Sequence, residues 1–121
     1  MSRSILVVDE HEPAVSATVA ALVDAGYAAT GAHSFREAAQ ILVEAPPALL
    51  IASVRLGAYN GLHLLVRGRA ERPDLAAIMI GAPSAAVESE ARRLGAAAYV
   101  TQPFEMDALL GCAADAIRAG A

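Results

Sequence analysis

Uninterrupted apolar runs alternate along the chain with apolar stripes of helical spacing. The strongest runs cover residues 4–8, 48–52 and 76–80, and two weaker ones cover residues 28–32 and 98–100. Short runs without polar alternation are typical of strands that are buried on both faces of a parallel sheet. The chain is therefore predicted to contain five parallel strands.

Between these runs, apolar residues recur every three or four positions, as they do on one face of a helix. The five stripes are, in chain order, Val15, Val19, Leu22 and Val23; Phe35, Ala38, Ile41 and Leu42; Leu62, Leu65, Val66 and Arg69; Val87, Ala91 and Leu94; and Met106, Leu109, Leu110, Ala113 and Ile117. Gly26 is placed to end the first helix, Ser34 with Glu37 forms a capping box for the second, and Ser84 can cap the fourth. Alternating strands and helices predict one α/β domain over residues 1–121, with helices on both faces of the sheet.

Composition and charge exclude several classes of function. The net charge of −4 argues against nucleic-acid binding, which needs a basic face. No apolar run reaches the roughly 18 residues of a membrane span, and the start MSRSILVV lacks the apolar block of a signal peptide. We therefore expect a soluble, cytoplasmic protein that does not contact the membrane. Its one cysteine, Cys112, cannot form an internal disulfide, and all nine basic residues are arginine, so lysine is absent.

The residues at the carboxyl ends of the predicted strands are the candidate site. In a parallel α/β sheet, ligands and chemistry lie beyond these ends. The side chains there are Asp9 and Glu10 after the first strand, Ser53 after the third, Gly81 after the fourth, and Gln102 and Pro103 after the fifth.

Taken in order, these stretches resemble the receiver domain of bacterial response regulators. The matching sequences are ILVVDE (residues 5–10), PALLIASVRLGAYNGLHLL (residues 47–65), PDLAAIMIGA (residues 73–82) and LGAAAYVTQPF (residues 94–104). The resemblance implies a flavodoxin-like (βα)5 fold, in which a doubly wound, five-stranded parallel sheet has the strand order 2-1-3-4-5. It also implies a role in two-component, or phosphorelay, signal transduction.

The same resemblance implies a phosphorylation site, but this sequence lacks three of its residues. Members of the family accept a phosphoryl group on an aspartate at the third strand tip and hold Mg²⁺ with that aspartate and the acidic pair. A Thr or Ser at the fourth tip and a Lys at the fifth bind the phosphoryl oxygens. The matching residues here are Ser53, Gly81 and Gln102.

The side chains at these positions are poorly suited to phosphoryl transfer. A serine hydroxyl is a weak nucleophile unless a base removes its proton, and no acidic residue lies between Glu44 and Glu71. Gln102 offers only neutral donors. Asp9 and Glu10 are predicted to bind Mg²⁺ weakly, if at all, and the neighbouring His11 is interpreted as a surface residue. Because the acid and the lysine are lost together, the pocket keeps the family's formal charge, which favours a stable unphosphorylated state.

Two further positions concern the switch of this family. Tyr99 matches an aromatic residue that swings inward on activation, into space that the fourth-tip hydroxyl leaves. Because Gly81 leaves that space vacant and proteins are close-packed, we expect Tyr99 to lie inward without phosphate. The alternative is that Tyr99 is a half-buried strand residue with no such role. Pro103 is predicted to follow a cis peptide bond.

The sequence thus predicts a degenerate receiver, or pseudo-receiver: a non-enzymatic interaction module that needs no cofactor and no phosphorylation at Ser53. Its expected partner is a sensor histidine kinase or an output or regulatory protein, and residues 87–117, between Val87 and Ile117, form a candidate homodimer face. Two alternatives stay open. Ser53 could accept phosphate from an unconventional kinase, or the pocket could sense a small ligand or a metal ion.

Overall fold

The computed structural model describes residues 3–119 as an α/β structure of seven strands and five helices. The elements are β1 (Ser4–Val8), α1 (Glu12–Asp24), β2 (Ala28–Ala32), α2 (Phe35–Glu44), β3 (Leu49–Ser53), β4 (Arg55–Leu56), β5 (Tyr59–Asn60), α3 (Leu62–Glu71), β6 (Ala76–Gly81), α4 (Ala85–Arg93), β7 (Ala98–Thr101) and α5 (Met106–Ala119). Five parallel strands form one sheet in the order β2-β1-β3-β6-β7. Counted among these five alone, the order is 2-1-3-4-5, so the predicted fold class is confirmed.

The sheet is covered by helices on both faces, which explains why its central strands are apolar throughout. All five residues of β3 are buried. Leu50 and Ala52 of this strand pack with residues of α2, α3 and α4, whereas Leu49 and Ile51 pack with residues of α1 and α5. Successive side chains of a strand point to opposite faces, so a strand between two helix layers needs an apolar residue at every position.

Most of the predicted helix boundaries are confirmed. The Oγ of Ser34 accepts the N–H of Glu37 at 3.1 Å, and the Oγ of Ser84 accepts the N–H of Val87 at 3.2 Å. Gly26, just beyond α1, has a φ of +100°, a conformation that favours glycine at a helix end. The capping box is closed differently from the usual pattern, because the Glu37 carboxylate accepts the N–H of His33 at 2.8 Å rather than that of Ser34.

Two residues of the predicted helix stripes do not face the core. Val23 is 51% exposed and Val66 is 49% exposed. Each follows a buried leucine, Leu22 or Leu65, and neighbouring helix positions are separated by about 100° around the axis, so the second residue falls outside the apolar face. The prediction for these two residues is therefore wrong.

A short hairpin between β3 and α3 was not predicted. Strands β4 and β5 pair antiparallel, with Arg55 opposite Asn60 and Leu56 opposite Tyr59. Gly57 lies in the connecting turn with a φ of +58°. The hairpin follows the carboxyl end of β3 directly, so it brings its own side chains beside the candidate site.

The chain ends and the bounds of β3 are the remaining points at which the prediction and the structure are compared. Residues 1–2 and 120–121 lie outside the described residues, and the assignment of residues 1–121 to one domain stays a prediction. Strand β3 begins and ends one residue later than predicted, so Ser53 is its last residue and pairs with Ile80 of β6. Among the helices of residues 3–119, none has the length and apolar character needed to cross a membrane.

Candidate functional site

The carboxyl ends of β1, β3, β6 and β7 enclose a pocket of about 330 Å³. Its lining residues are Asp9, Glu10, Ser53, Val54, Arg55, Ile80, Gly81, Ala82, Ser84, Val87, Tyr99 and Gln102. The sheet therefore brings together the predicted residues of four separate strand ends. Of the candidate site residues, Pro103 alone does not line this pocket, although the predicted cis peptide bond between Gln102 and Pro103 is confirmed.

Ser53 and Asp9 form the polar contact at the centre of the site. Ser53 is 6% exposed, and its hydroxyl donates to Oδ2 of Asp9 at 2.9 Å. The other carboxylate oxygen of Asp9 accepts the backbone N–H of the exposed His11 at 3.0 Å. A buried hydroxyl needs an acceptor, and a charged carboxylate is a strong one. The contact thus satisfies the Ser53 hydroxyl at the point where β3 ends.

The Asp9 contact was not foreseen from the sequence. The absence of acids between Glu44 and Glu71 left Ser53 without a base nearby in the chain, but Asp9 reaches it from β1 through the parallel pairing of β1 with β3. A carboxylate is a much weaker base than the alkoxide that it would have to generate, so it removes a hydroxyl proton poorly. The contact therefore orients the Ser53 proton without making Ser53 an efficient nucleophile.

Arg55 is a second pocket residue that sequence reasoning missed. It lies on β4, two residues beyond Ser53, and its exposed side chain lines the pocket with Asp9 and Glu10. No ion pair within residues 3–119 includes Arg55. The signal available in the sequence was the position of Arg55 two residues beyond Ser53. The direction of the Arg55 side chain, however, depends on the hairpin, which was not predicted.

The acidic residues of this pocket fit Mg²⁺ poorly. Magnesium prefers octahedral oxygen ligands, and the only carboxylates lining the pocket are those of Asp9 and Glu10. Both oxygens of Asp9 already accept hydrogen bonds, from Ser53 and from the backbone of His11. In the described part of the chain, no three His, Cys, Asp or Glu side chains are arranged to hold a metal ion.

Gly61 packs closely against the backbone at the end of β3. A Cβ at this position would overlap the carbonyl oxygen of Ser53, and the N–H of Gly61 donates to the carbonyl of Val54 at 2.6 Å. The side-chain oxygen of Asn60, one residue before the N-cap Gly61, accepts the N–H of Leu62 at 2.9 Å. The close approach of Gly61 thus fixes the backbone that presents Ser53.

Tyr99 occupies the space beside Gly81. Its hydroxyl donates to the carbonyl of Ala82 at 2.7 Å, and a Cβ at position 81 would lie 2.5 Å from that hydroxyl oxygen. The ring is half-buried and lines the pocket, which agrees both with the inward position and with the alternative of a half-buried strand residue, so the switch role of Tyr99 stays a prediction. Burial raises the pKa of the Tyr99 phenol above its ordinary value of 10, and the nearby negative charge of Glu88 adds to this effect.

We expect a Gly81→Thr variant to expel the Tyr99 ring, because the new side chain would occupy the place of its hydroxyl. The Tyr99 phenol would then return toward its ordinary pKa. Ultraviolet titration of tyrosine ionisation measures this change as a shift of part of the titration curve to lower pH. The control is Gly111→Ala, where the added Cβ meets no atom within 4 Å; an unchanged titration curve in Gly81→Thr would contradict the assigned ring position.

The raised pKa of Tyr99 also has a consequence for stability. The folded state holds the phenolic proton more tightly than the unfolded chain does, so the contribution to stability is complete below about pH 10 and is lost as the pH rises through the raised pKa. A Tyr99→Phe variant has no phenol to ionise, so it should not show this loss of stability at alkaline pH.

The strand order, the two helix layers and the pocket at the carboxyl ends define a doubly wound, flavodoxin-like α/β protein. The family model described as response regulator receiver domain matches residues 5–114. The chain therefore belongs to the response regulator receiver domain family, whose members act in two-component signalling.

A curated relative agrees with this assignment. The chain is 31% identical over 104 residues to the photosynthetic apparatus regulatory protein RegA of Cereibacter sphaeroides, a match that covers 85% of this chain and 56% of RegA. The chain thus spans about half the length of this curated relative.

Two solved structures share the fold. The CheY-like receiver domain protein of Methanospirillum hungatei superposes with a TM-score of 0.93 at 23% identity, over 99% of this chain and 97% of that one. The beryllofluoride-activated NtrC4 receiver domain, solved as a dimer in solution, superposes with a TM-score of 0.90 at 24% identity, over 98% of each chain.

Proposed function

We propose that this chain is a pseudo-receiver: a protein-interaction module of a two-component pathway that works without phosphorylation at the end of β3. The observation that carries this proposal is the buried Ser53 hydroxyl, which donates to Asp9 at 2.9 Å where the family has its phosphoacceptor aspartate. In this proposal the domain is not an enzyme and needs no cofactor. Mg²⁺ binding is weak, and the cytoplasmic location stays a prediction.

The chemistry of the pocket supports this proposal. An ionised aspartate attacks a phosphorus atom directly, whereas the Ser53 hydroxyl must first lose the proton that it donates to the weakly basic Asp9 carboxylate. Gln102 has no charge with which to stabilise phosphoryl oxygens, and the chain contains no lysine. The pocket therefore lacks an efficient nucleophile and the family's cation.

The orientation of Tyr99 supports a signalling state that does not depend on phosphate. The ring already fills the space beside Gly81, and its hydroxyl is held by the carbonyl of Ala82. In this proposal the α4–β7–α5 face, which includes Val87 and Ile117, presents one permanent conformation to its partner. That partner is a sensor histidine kinase, an output or regulatory protein, or a second copy of the chain. Arg92 pairs with Glu88 within α4, so this charge on the face is already compensated.

A second candidate function is favoured by the same contact. The carboxylate of Asp9 accepts the hydrogen of Ser53, as a catalytic base accepts the proton of an attacking hydroxyl, and Arg55 lines the same pocket as a cation. An unconventional kinase could use this arrangement to phosphorylate Ser53. The low exposure of Ser53, 6%, disfavours it, because the kinase would have to reach a side chain inside the folded pocket.

We expect the purified wild-type protein to keep its mass when it is incubated with acetyl phosphate and Mg²⁺. Intact-protein mass spectrometry checks this result, with an aspartate-containing receiver treated in parallel to show that the reagent is active. A stoichiometric gain of one phosphoryl group by the wild type would contradict the proposal. If a Ser53→Ala variant failed to gain that group, the adduct would lie on Ser53, as the second candidate requires.

A further inference from the structure

A second cavity, which includes Tyr59 of β5, shares no lining residue with the pocket at the strand ends. This cavity is an open trough of about 550 Å³ along α2, called here the α2 trough. Its main lining residues are the apolar Phe35, Ala39, Val43 and Tyr59 and the cationic Arg36 and Arg67. We propose that the α2 trough binds an acidic segment of a partner protein through an apolar anchor residue on that segment. This inference does not depend on the proposed function of the Ser53 pocket.

The apolar part of the trough is rigid at its base and open above. Phe35 is only 8% exposed, and the ring of Tyr59 stacks on it with a centroid distance of 4.9 Å and an interplanar angle of 18°. Tyr59 itself is 60% exposed, and Val43 is 61% exposed. Aromatic residues presented on a packed base lose little freedom on binding, which is why tyrosine often carries the energy of protein interfaces.

The charges of the trough select the partner. The guanidinium of Arg67 lies 5.3 Å from the centre of the Phe35 ring, so its stem and its charge are both positioned at the trough. Neither Arg36 nor Arg67 forms an ion pair with any residue in the range 3–119. In contrast, the arginines at positions 72, 92, 93 and 118 each pair with a nearby carboxylate.

The two acidic side chains of α2, Glu37 and Glu44, form no ion pair with these arginines. The carboxylate of Glu37 accepts the N–H of His33, and that of Glu44 accepts the side-chain amide of Gln40. Two arginines that form no ion pair within residues 3–119 therefore border an apolar surface on a protein whose net charge is −4. Complementary charge across an interface requires an acidic partner, and both arginine and tyrosine are enriched in interface hot spots.

Peptide selection tests the proposal with a defined probe. Random peptides displayed on phage are selected against the folded domain, and the enriched sequences are synthesised and titrated by fluorescence anisotropy. We expect enriched peptides to carry Asp or Glu beside an aromatic residue or leucine. Their affinity should fall about tenfold or more in Tyr59→Ser and in Arg67→Gln, because each change removes one of the two proposed contacts.

Matched variants distinguish this site from other surfaces. Val23→Ser changes an exposed valine on α1, and Arg118→Gln changes an exposed arginine on α5; both should leave the affinity within roughly twofold of the wild type. Thermal unfolding checks that each variant is folded. If Tyr59→Ser proves to be unfolded, Val43→Ser is used in its place.

Three results would overturn the proposal. The first is a selection that yields no binder or shows no preference for acidic residues. The second is equal binding to the wild type and to the trough variants. The third is self-association of the wild type in sedimentation velocity that Tyr59→Ser abolishes, which would assign the trough to a second copy of this chain.

Discussion

A Ser53→Asp variant is expected to unfold more easily than the wild type at neutral pH without divalent cations, by about 1–3 kcal/mol. Position 53 is almost fully buried, and its present side chain donates to Oδ2 of Asp9 at 2.9 Å. The substitution replaces that donor with a second carboxylate, so two negative charges would lie close together in a partly desolvated place. Urea unfolding followed by circular dichroism measures the difference in the free energy of unfolding.

The pH dependence of this penalty has a definite sign. Repulsion and burial raise the pKa of the introduced carboxyl group above its unfolded value near 4. The penalty is therefore absent below the unfolded pKa, grows as the pH rises toward the folded pKa, and is complete above it. The wild type and the variant should approach the same stability in acid.

Mg²⁺ should reverse the effect of the same substitution at neutral pH. Three carboxylates at positions 9, 10 and 53 form a much better oxygen site than Asp9 and Glu10 alone, and a ligand that binds only the folded state stabilises it. Ser53→Asn is the matched control, since the asparagine side chain has nearly the same shape as that of aspartate but carries no charge. If the Asp and Asn variants lost equal stability at every pH, and neither responded to Mg²⁺, the contact between position 53 and Asp9 would be wrong.

The sheet and the position of the site were predictable because both rest on strong local patterns. Strands covered on both faces need unbroken apolar runs, and the residues that end those runs must meet at one edge of a parallel sheet. Ser34 and Ser84 were identifiable as caps for a similar reason, since serine is strongly preferred where a side-chain oxygen accepts a free N–H group at a helix start.

The features that escaped prediction depend on tertiary contacts. The bond from Ser53 to Asp9 joins residues 44 positions apart and exists because β1 and β3 are adjacent in register. Arg55 enters the pocket on a strand of only two residues, which is too short to produce an alternating pattern. The α2 trough combines residues of α2, β5 and α3, so no single segment of the sequence carries its signal.

A Gly61→Ala variant is expected to lose about 3 kcal/mol of stability, which is more than the replacement of glycine by alanine at a helix N-cap costs by itself. The backbone of Gly61 has a φ of −62° and a ψ of −18°, which any residue adopts without strain. The cost arises instead because the added Cβ would overlap the carbonyl oxygen of Ser53, and backbone cannot move aside as the end of a flexible side chain can. Urea unfolding measures this loss.

The matched control has the opposite expected sign. Gly111 lies in α5, where an added Cβ meets no atom within 4 Å, so Gly111→Ala should gain about 0.4–1 kcal/mol from the reduced freedom of the unfolded chain. Equal stabilities of the two variants would contradict the close approach of Gly61 to β3. Because the displaced carbonyl belongs to Ser53, the Gly61→Ala change should also move the Ser53 hydroxyl away from Asp9. The small residue at the start of α3 is therefore as necessary to the geometry of the pocket as the side chains that line it.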